Sequence, residues 1–242
     1  MIFRDAAFQQ CINPNCQKQF GVDEVLTACT ECGSLLDIKY DWNTAGTPTD
    51  WSYYQGKWAK RADRLNFSGI WRFHELLPFA VPEHVVTVGE GQTLLQQADF
   101  VSEFVGIDSG NLFLQYEGMN PSGSFKDNGM SAAFTHAHSI GAKRAACAST
   151  GNTSASLAMY CAVSQLMKAV IFIGSGKISY GKLSKALEYG ALTVQISGDF
   201  DDAMQRVQEV SKELGIYLVN SCLLYTSDAA DEGLGVDLGG RR

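Results

Sequence analysis

The sequence predicts an α/β protein in which a parallel sheet is flanked by helices. Short apolar strands alternate with helices of ten or more residues between about residues 88 and 221, and glycines close several of those helices. This alternation is typical of βαβ units and therefore of a parallel sheet. A third observation, two pairs of cysteines near the N-terminus, predicts a small module ahead of the sheet.

The predicted elements follow one another in a regular order. The strands are predicted at residues 112–116, 145–148, 169–173, 192–196 and 216–219. The helices are predicted at residues 125–140, 153–165, 180–189 and 200–214, and three of them end at Gly141, Gly190 and Gly215. Ligands of parallel sheets bind beyond the carboxyl ends of the strands, so we expect the chemistry in the strand-to-helix loops.

Composition narrows the class of protein. The chain has 242 residues, of which 45% are apolar, so it can build the core of one large or two small domains. Its net charge of -7 argues against nucleic-acid binding, which needs clustered basic residues. No apolar run reaches the roughly 18 residues that cross a membrane, and the first residues lack the apolar stretch of a secretory signal. We therefore expect a cytoplasmic protein that binds neither nucleic acid nor membrane.

Four segments can be told apart along the chain. Residues 1–41 carry the paired cysteines, and residues 42–87 are rich in aromatic side chains. Residues 88–221 carry the alternating strands and helices, whereas residues 222–242 mix acidic residues with glycines and break that pattern. We therefore predict a small cysteine module, an aromatic lead segment and an α/β region, in that order.

The loop at residues 120–127, NPSGSFKD, is the first place where we expect chemistry. Its proline and glycine end the preceding strand in a turn, and Ser122 or Ser124 can cap the helix that follows. Lys126 then falls in the first helical turn, where the positive end of the helix dipole opposes a cation. That field, together with burial, favours a neutral amine, which is nucleophilic enough to form a Schiff base with an aldehyde.

The loop at residues 149–153, STGNT, is the second such place. It offers hydroxyls, an amide and backbone N–H groups at a helix N-terminus, which suit a carboxylate or a phosphate. Either loop alone is more often a plain turn, with a solvated lysine in the first and an N-cap in the second. Because both would follow successive strands of one parallel sheet, the sequence favours a shared ligand site.

These two loops resemble the signature pair of the fold-type II pyridoxal-phosphate enzymes and, more narrowly, that of the threonine synthase family. Four further stretches support the narrower resemblance. They are GIWRFHELLP at 69–78, GEGQTL at 89–94 with Leu94 where proline is usual, the stretch at 176–191, and GDFDDA at 198–203. The resemblance covers about residues 11–221 and implies a fold like that of the tryptophan synthase β-subunit.

The resemblance also implies a role for each matching residue. Lys126 would hold pyridoxal 5'-phosphate covalently and later shuttle protons, and Asn152 would hydrogen-bond the phenolic oxygen of the cofactor. Phe125 would shape the floor of the cofactor pocket or simply pack in the core, and Thr93 would lie near the substrate. The α-carboxylate of the substrate would be held by Ser149, Thr150, Gly151 and Thr153.

The implied reaction converts O-phosphohomoserine and water into threonine and phosphate, as a carbon–oxygen lyase acting on a phosphate ester. A sister enzyme of the same fold, such as a cysteate synthase or a threonine/serine dehydratase, would share Lys126 and Asn152. An alternative from another class is a zinc-ribbon binding module on a non-catalytic scaffold. The resemblance is compatible with a homodimer of the full-length parent protein.

The N-terminal cysteines have the spacing of a metal site. Cys11 and Cys16 are spaced C-x₄-C, and Cys29 and Cys32 are spaced C-x₂-C. Four thiolates on two turns are the usual ligands of a closed, tetrahedral structural zinc site, and free thiols are the alternative. A module of this size cannot build its own core, so the metal would supply folding energy. Cys147 and Cys161 fit small buried positions instead.

Residues 222–242 resemble the translation of a sequencing adapter more than native sequence. On this interpretation the natural reading frame is represented only to about Ser221. Two parts of a fold-type II enzyme would then be missing, the glycine-rich loop for the cofactor phosphate and a group facing the pyridine nitrogen. We therefore expect a fragment without its C-terminal half, inactive as written and with an uncovered sheet edge.

Overall fold

The computed structural model of the chain describes residues 6–175 and 180–220. These residues form two compact units. The first unit is made of Ala6 and residues 41–141, and the second unit of residues 7–40 and 142–220. Part of the stretch at 176–191 that carries the resemblance, and the whole of residues 222–242 predicted to be non-native, lie outside the described residues.

The strands and helices of the described residues are numbered in chain order. The strands are β1 (Ala7–Cys11), β2 (Gln19–Gly21), β3 (Leu36–Tyr40), β4 (Leu94–Gln97), β5 (Phe113–Tyr116), β6 (Arg144–Ala148), β7 (Lys168–Gly174), β8 (Leu192–Ile196) and β9 (Tyr217–Leu218). The α-helices are α1 (Trp42–Ala45), α2 (Trp51–Trp58), α3 (Arg64–Phe67), α4 (Asp99–Val105), α5 (Lys126–Ser139), α6 (Asn152–Ser164), α7 (Tyr180–Glu188) and α8 (Phe200–Leu214). Short 3-10 helices occupy Trp71–Leu76, Pro82–His84 and Glu117–Met119.

The second unit contains the parallel sheet that the sequence predicts. Its strands lie in the order β8-β7-β6-β9, and each neighbouring pair is parallel. The central strands β6 and β7 are almost entirely buried, as expected where helices cover both faces of a sheet. The ends of all four strands lie within one residue of their predicted positions.

Helix α8 covers one face of this sheet. Its buried Ala203 and Val207 belong to one core cluster with Ala146, Val170 and Phe172. Helix α6 packs against β6 and β7, and α7 packs against α6.

Two cysteines of the second unit are core residues, as the sequence predicts. Cys147 of β6 and Cys161 of α6 are both buried. Burial raises the pKa of both thiols, that of Cys161 to about 12, and Cys161 adds to the effect on Cys147. Both thiols therefore stay protonated at neutral pH and act as small apolar side chains.

Strand β5 does not belong to the parallel sheet. It pairs antiparallel with β4, in a register that places Leu94 opposite Tyr116 and Gln97 opposite Phe113. The prediction that the two candidate loops follow strands of one parallel sheet is therefore wrong. The sequence does not indicate that β5 pairs with β4, because β4 (LLQQ) has neither an apolar run nor an apolar–polar alternation.

All four tryptophans of the chain belong to the first unit. Trp42, Trp51 and Trp58 are 49%, 61% and 39% exposed, whereas Trp71 is fully buried. The Trp51 ring stacks on the Phe73 ring, with 5.9 Å between centroids. The Trp71 indole donates a hydrogen bond of 2.8 Å to Ser131 Oγ, which fastens the 3-10 helix at Trp71–Leu76 to α5.

The cysteine-bearing segment forms a small antiparallel sheet of its own. The strand order is β2-β1-β3, with Phe8 opposite Gly21 and Cys11 opposite Leu36. Across residues 6–175 and 180–220, none of the helices has the length and apolar character that a membrane crossing requires.

Candidate active site and cysteine cluster

Lys126 is the first residue of α5 and is half-buried. Its Nζ lies 4.5 Å from the centroid of the adjacent Phe125 ring, which is also half-buried. The fully buried carboxylate of Asp127 holds the preceding loop, because it accepts hydrogen bonds from the Ser122 backbone N–H (2.7 Å) and from Ser122 Oγ (2.5 Å). The backbone on both sides of the Lys126 amine is therefore held in place.

The predicted caps of this helix are wrong. Neither Ser122 nor Ser124 caps α5, and the residue before the helix, Phe125, itself has helical backbone angles. Ser122 Oγ instead bonds the Asp127 carboxylate, and a hydrogen bond to an ionised acceptor is stronger than a neutral one.

The Ser124 hydroxyl is the polar group of this loop that a ligand would satisfy. It is buried and has no hydrogen-bond partner among the described residues. A buried hydroxyl left unpaired costs about 1–3 kcal/mol, so such groups commonly face a ligand or a water. The loop thus combines the Lys126 amine, which can react with an aldehyde, and the Ser124 hydroxyl, which can hydrogen-bond a polar group of a ligand. These residues fit a phosphorylated aldehyde such as pyridoxal 5'-phosphate.

Asn120 joins this loop to the GEGQT stretch. Its Oδ1 accepts a hydrogen bond of 2.8 Å from the Gly91 N–H, and its Nδ2 donates one of 2.7 Å to Glu117 Oε2. Gly91 has φ +81° and lies against Gly69, so close that a Cβ on Gly91 would lie 2.7 Å from the Gly69 Cα. Only glycine fits this contact, which explains two of the glycines in the stretches that carry the family resemblance.

Thr93 lines an open groove of about 690 Å³ in the first unit. One side of the groove carries Arg72, whose guanidinium carbon lies 4.7 Å from the Trp58 ring centroid and 4.9 Å from that of Phe73. Burial lowers the pKa of Arg72 below its ordinary value, and the guanidinium stays charged at neutral pH. The other lining residues are Trp51, Tyr54, Gln55, Gly91, Gln92, Leu94 and Met119. Thr93 therefore sits on an accessible surface, as a substrate contact must.

The second loop, residues 149–153, follows β6 at the carboxyl edge of the parallel sheet. Ser149 and Thr150 line a cavity of about 210 Å³ together with the ends of β7 and the start of α8. Ser149 Oγ accepts a hydrogen bond of 3.0 Å from the Gly151 N–H. Asn152 begins α6 and is half-buried, and Thr153 is buried behind it. Small polar groups therefore meet at a helix N-terminus, which suits an anion.

The position of β6 strengthens this assignment. The chain adds β7 and then β8 on one side of β6, whereas β9 joins on the other side. The gap between β6 and β9 is thus a topological switch point, and the crevice beyond such a point is where open α/β sheets bind ligands. The predicted anion loop follows one of the two strands that flank it.

Asn220 follows the other strand and was missed in the sequence analysis. Its Oδ1 accepts a hydrogen bond of 2.9 Å from the Ala148 N–H, next to Ser149. Its Nδ2 lies 3.1 Å from Met204 Sδ. The signal was available, because Asn220 directly follows the fifth predicted strand. Without the strand order, however, nothing in the sequence marks β9 as the neighbour of β6.

The predicted site residues are divided between the two units. Thr93, Phe125 and Lys126 belong to the first unit, and residues 149–153 belong to the second. Within the second unit the structure brings together Ser149, Thr150, Gly151, Asn152 and Thr153. The shared site that the sequence favours stays a prediction.

The four N-terminal cysteines converge. Their sulfur atoms all lie within 4.8 Å of one another, with 3.4 Å between Cys11 and Cys32 and 3.8 Å between Cys16 and Cys29. Zinc–sulfur bonds of about 2.3 Å in a tetrahedron put the sulfurs about 3.8 Å apart, so this donor set fits zinc. Hydrogen bonds from Ser34 lower the pKa of Cys32 to about 6, whereas burial raises that of Cys11 to about 12.

Comparison with known proteins identifies the family of the chain. The family model described as pyridoxal-phosphate dependent enzyme matches residues 86–235. The chain is 40% identical to the threonine synthase of Methanocaldococcus jannaschii and 38% identical to that of Methanosarcina acetivorans, in alignments over 213 and 212 residues that cover 88% of the chain. They cover 49% and 48% of the two relatives, so the chain spans about half the length of the curated relatives it matches. Since the family model matches more than half of the chain, the chain belongs to the pyridoxal-phosphate dependent enzymes.

Proposed function

We propose that the chain is the front half of a threonine synthase, an enzyme that converts O-phosphohomoserine and water into threonine and phosphate. The observation that carries the proposal is the identity of 38–40% to two curated threonine synthases over 88% of the chain. Lys126 at the start of α5, behind a loop with a buried unpaired hydroxyl, supports the cofactor chemistry.

Each candidate residue has a proposed task. The Lys126 amine would hold the cofactor through its aldehyde carbon and would take the proton from the substrate α-carbon. The Asn152 amide would donate to the cofactor phenolic oxygen. Phe125 lies beside the Lys126 amine and shapes the floor of the pocket, and Thr93 contacts the substrate. When bound, the cofactor supplies an electron sink for the charge left on the α-carbon.

The substrate α-carboxylate is proposed to bind the loop after β6, through Ser149, Thr150, Gly151 and Thr153. Support comes from the helix N-terminus at Asn152 and from the switch point beside β6. Binding the α-carboxylate at this loop fixes one end of the substrate and so orients the rest of it. A fixed orientation lowers the activation barrier of the reaction.

The cofactor assignment is tested by reconstituting the product of the complete gene that contains this chain with pyridoxal 5'-phosphate. We expect a visible absorption band, and after borohydride reduction we expect the label on the peptide that contains Lys126. Lys126→Ala should lose the band and the label, because the amine is gone, whereas Lys143→Ala, which removes an exposed lysine, should keep both. A complete wild-type protein with neither band nor label would favour a non-catalytic binding module.

The substrate assignment is tested on the product of the complete gene that contains this chain. Assays with O-phosphohomoserine, phosphoserine and threonine separate threonine synthase from a cysteate synthase and from a threonine/serine dehydratase. We expect phosphate and threonine to form from O-phosphohomoserine. Turnover of phosphoserine alone, or of threonine alone, would overturn the proposal while leaving the cofactor assignment intact.

We also propose that Cys11, Cys16, Cys29 and Cys32 hold a structural zinc ion. The convergence of four sulfurs supports this, and the surrounding turns add to it. The Cys16 N–H donates to the Asn13 carbonyl (3.0 Å) and the Gly33 N–H to the Cys29 carbonyl (2.8 Å). All four ligand positions are filled by protein, which suits a structural role.

Thiolates held by metal suit a reducing compartment, and we propose a cytoplasmic location.

A further inference from the structure

Glu90 is a fully buried carboxylate in the first unit. Its oxygens accept hydrogen bonds from Ser68 Oγ (2.5 Å), from Thr87 Oγ1 (2.9 and 3.0 Å) and from the Val88 N–H (3.0 Å). Gly89 and Gly91, with φ +86° and +81°, flank it and turn the backbone so that the side chain points inward. Burying a carboxylate is costly unless donors surround it, so this arrangement is a built one.

A further hydrogen bond joins Glu90 to the helix that carries Lys126. Ser131 of α5 accepts from the Trp71 indole, and its hydroxyl lies 2.7 Å from the Val86 carbonyl oxygen and 3.0 Å from Glu90 Oε1. One turn further along α5, Thr135 Oγ1 accepts from the Val86 N–H at 2.9 Å. Residues 86–91, named here the strap, are therefore fastened along α5.

The other end of the strap holds the loop that precedes Lys126. The Gly91 N–H donates to Asn120 Oδ1, six residues before Lys126, whereas Glu90 meets Ser131, five residues after it. The strap thus spans the backbone on both sides of Lys126. Five residues of α-helix rise by about 7.5 Å, so Ser131 lies close enough to Lys126 to govern the first turns of α5.

We propose that Glu90 is a positioning residue for Lys126. By holding Ser131 against the strap, its carboxylate sets where the first turns of α5, and therefore the Lys126 amine, lie relative to the loop at Asn120. The proposal rests on the proposed function of Lys126. A displacement of about 1 Å at a reacting group can cost about 100-fold in rate, so a remote hydrogen bond of this kind can control turnover.

Three variants separate positioning from plain stability. Glu90→Gln keeps the size of the side chain, but its amide N–H₂ must face at least one of the donors that now point at the carboxylate. Ser131→Ala removes the bond between Glu90 and α5 together with the bonds of Ser131 to the Trp71 indole and the Val86 carbonyl, and it leaves the other donors of Glu90 in place. Thr87→Ala is the matched control, because it also takes one hydroxyl from Glu90 but touches only the strap itself.

The first measurement needs no cofactor. Amide hydrogen exchange on this chain should be faster in the first two turns of α5 for Glu90→Gln and Ser131→Ala than for wild type, and unchanged there for Thr87→Ala. Equal exchange in all four proteins, or the same increase in Thr87→Ala, would overturn the proposal. If Glu90→Gln fails to fold, Glu90→Asp, which keeps the charge but shortens its reach to Ser131, takes its place in the same comparison.

The second measurement uses the product of the complete gene with its cofactor. We expect kcat to fall about 100-fold in Glu90→Gln and by a smaller factor in Ser131→Ala, with KM within about 3-fold of wild type. The pH dependence of the visible absorption band should shift in the same two variants and not in Thr87→Ala. Wild-type kcat and an unshifted band in Glu90→Gln would overturn the proposal. A wild type without any band would instead overturn the proposed function.

Discussion

At the scale of single residues, Glu75 is a carboxylate held by an ion pair and a hydrogen bond. Lys57 Nζ lies 2.5 and 2.6 Å from its two oxygens, and Tyr53 donates a hydrogen bond of 2.6 Å. Burial opposes ionisation of Glu75, but the bonds from Lys57 and Tyr53 outweigh it and lower the pKa of Glu75 below 4.5. The same bond raises the pKa of Tyr53 to about 12.

This shift predicts how stability depends on pH. Because the pKa of Glu75 is lowered on folding, its contribution is complete above about pH 4.5 and is lost as the pH falls below that value. Glu75→Gln should lower the free energy of unfolding at pH 7 by about 1–2 kcal/mol, with a smaller loss at pH 3. Urea denaturation at both pH values measures this. Glu83→Gln, at an exposed glutamate, is the control. An equal loss at both pH values would contradict the assignment.

Single residues also show which features of the candidate site could be predicted from the sequence. The position of Lys126 at the start of a helix could be predicted, because proline, glycine and serine mark the turn before it. The partner of Ser122 could not, because Asp127 captures its hydroxyl only when both are buried together. Asn120 and Glu90 are similar cases. Their partners, Gly91 and Ser131, lie 29 and 41 residues away, and no local pattern links such positions.

At the scale of elements, local signals decided which predictions were right. Helix α8 and strand β8 have their predicted ends, because Asp199 caps α8 with a capping box and Gly215 ends it in a left-handed conformation. Strand β5 was placed correctly along the chain but in the wrong sheet. Its pairing with β4 is a tertiary choice, which propensity and periodicity do not encode.

The cysteine module gives the prediction for an element as a whole. Purified under metal-replete, reducing conditions, the chain should carry about one zinc ion, measured by native mass spectrometry. Chelation should expose the amides of β1, β2 and β3 to hydrogen exchange, because metal binding supplies much of the folding energy of such modules. Cys29→Ser should lose the zinc, and Cys161→Ala, a cysteine in the core of α6, should keep it. Retention of zinc by Cys29→Ser would rule out the proposed ligand set.

At the scale of the whole molecule, the parallel sheet could be predicted and its strand order could not. Alternating strands and helices indicate βαβ units, but β9 could have joined either edge. Its place beside β6 creates the switch point and brings Asn220 next to the Ser149 loop. The position of the second candidate loop beside a topological switch point could therefore be recognised only once the strand order was known.

The core between α8 and the sheet gives that topology apolar support. Val207→Ala should destabilise the second unit by about 2 kcal/mol, because the deleted methyl groups leave a cavity at a fully buried position. The slowest-exchanging amides of β6 and α8 should then exchange about 30-fold faster. Val163→Ala, at a residue 59% exposed on α6, should change exchange little. A comparable acceleration in both variants would contradict this account of the core.

The distribution of tryptophan gives the molecule a built-in optical label. Since all four indoles lie in the first unit, intrinsic emission excited at the red edge of protein absorption senses that unit and leaves the parallel sheet dark. A soluble quencher such as iodide sorts the emitters further, because it reaches Trp42, Trp51 and Trp58 and is kept from Trp71. The emission that iodide does not quench then comes from Trp71, whose indole donates to Ser131 next to the strap and α5.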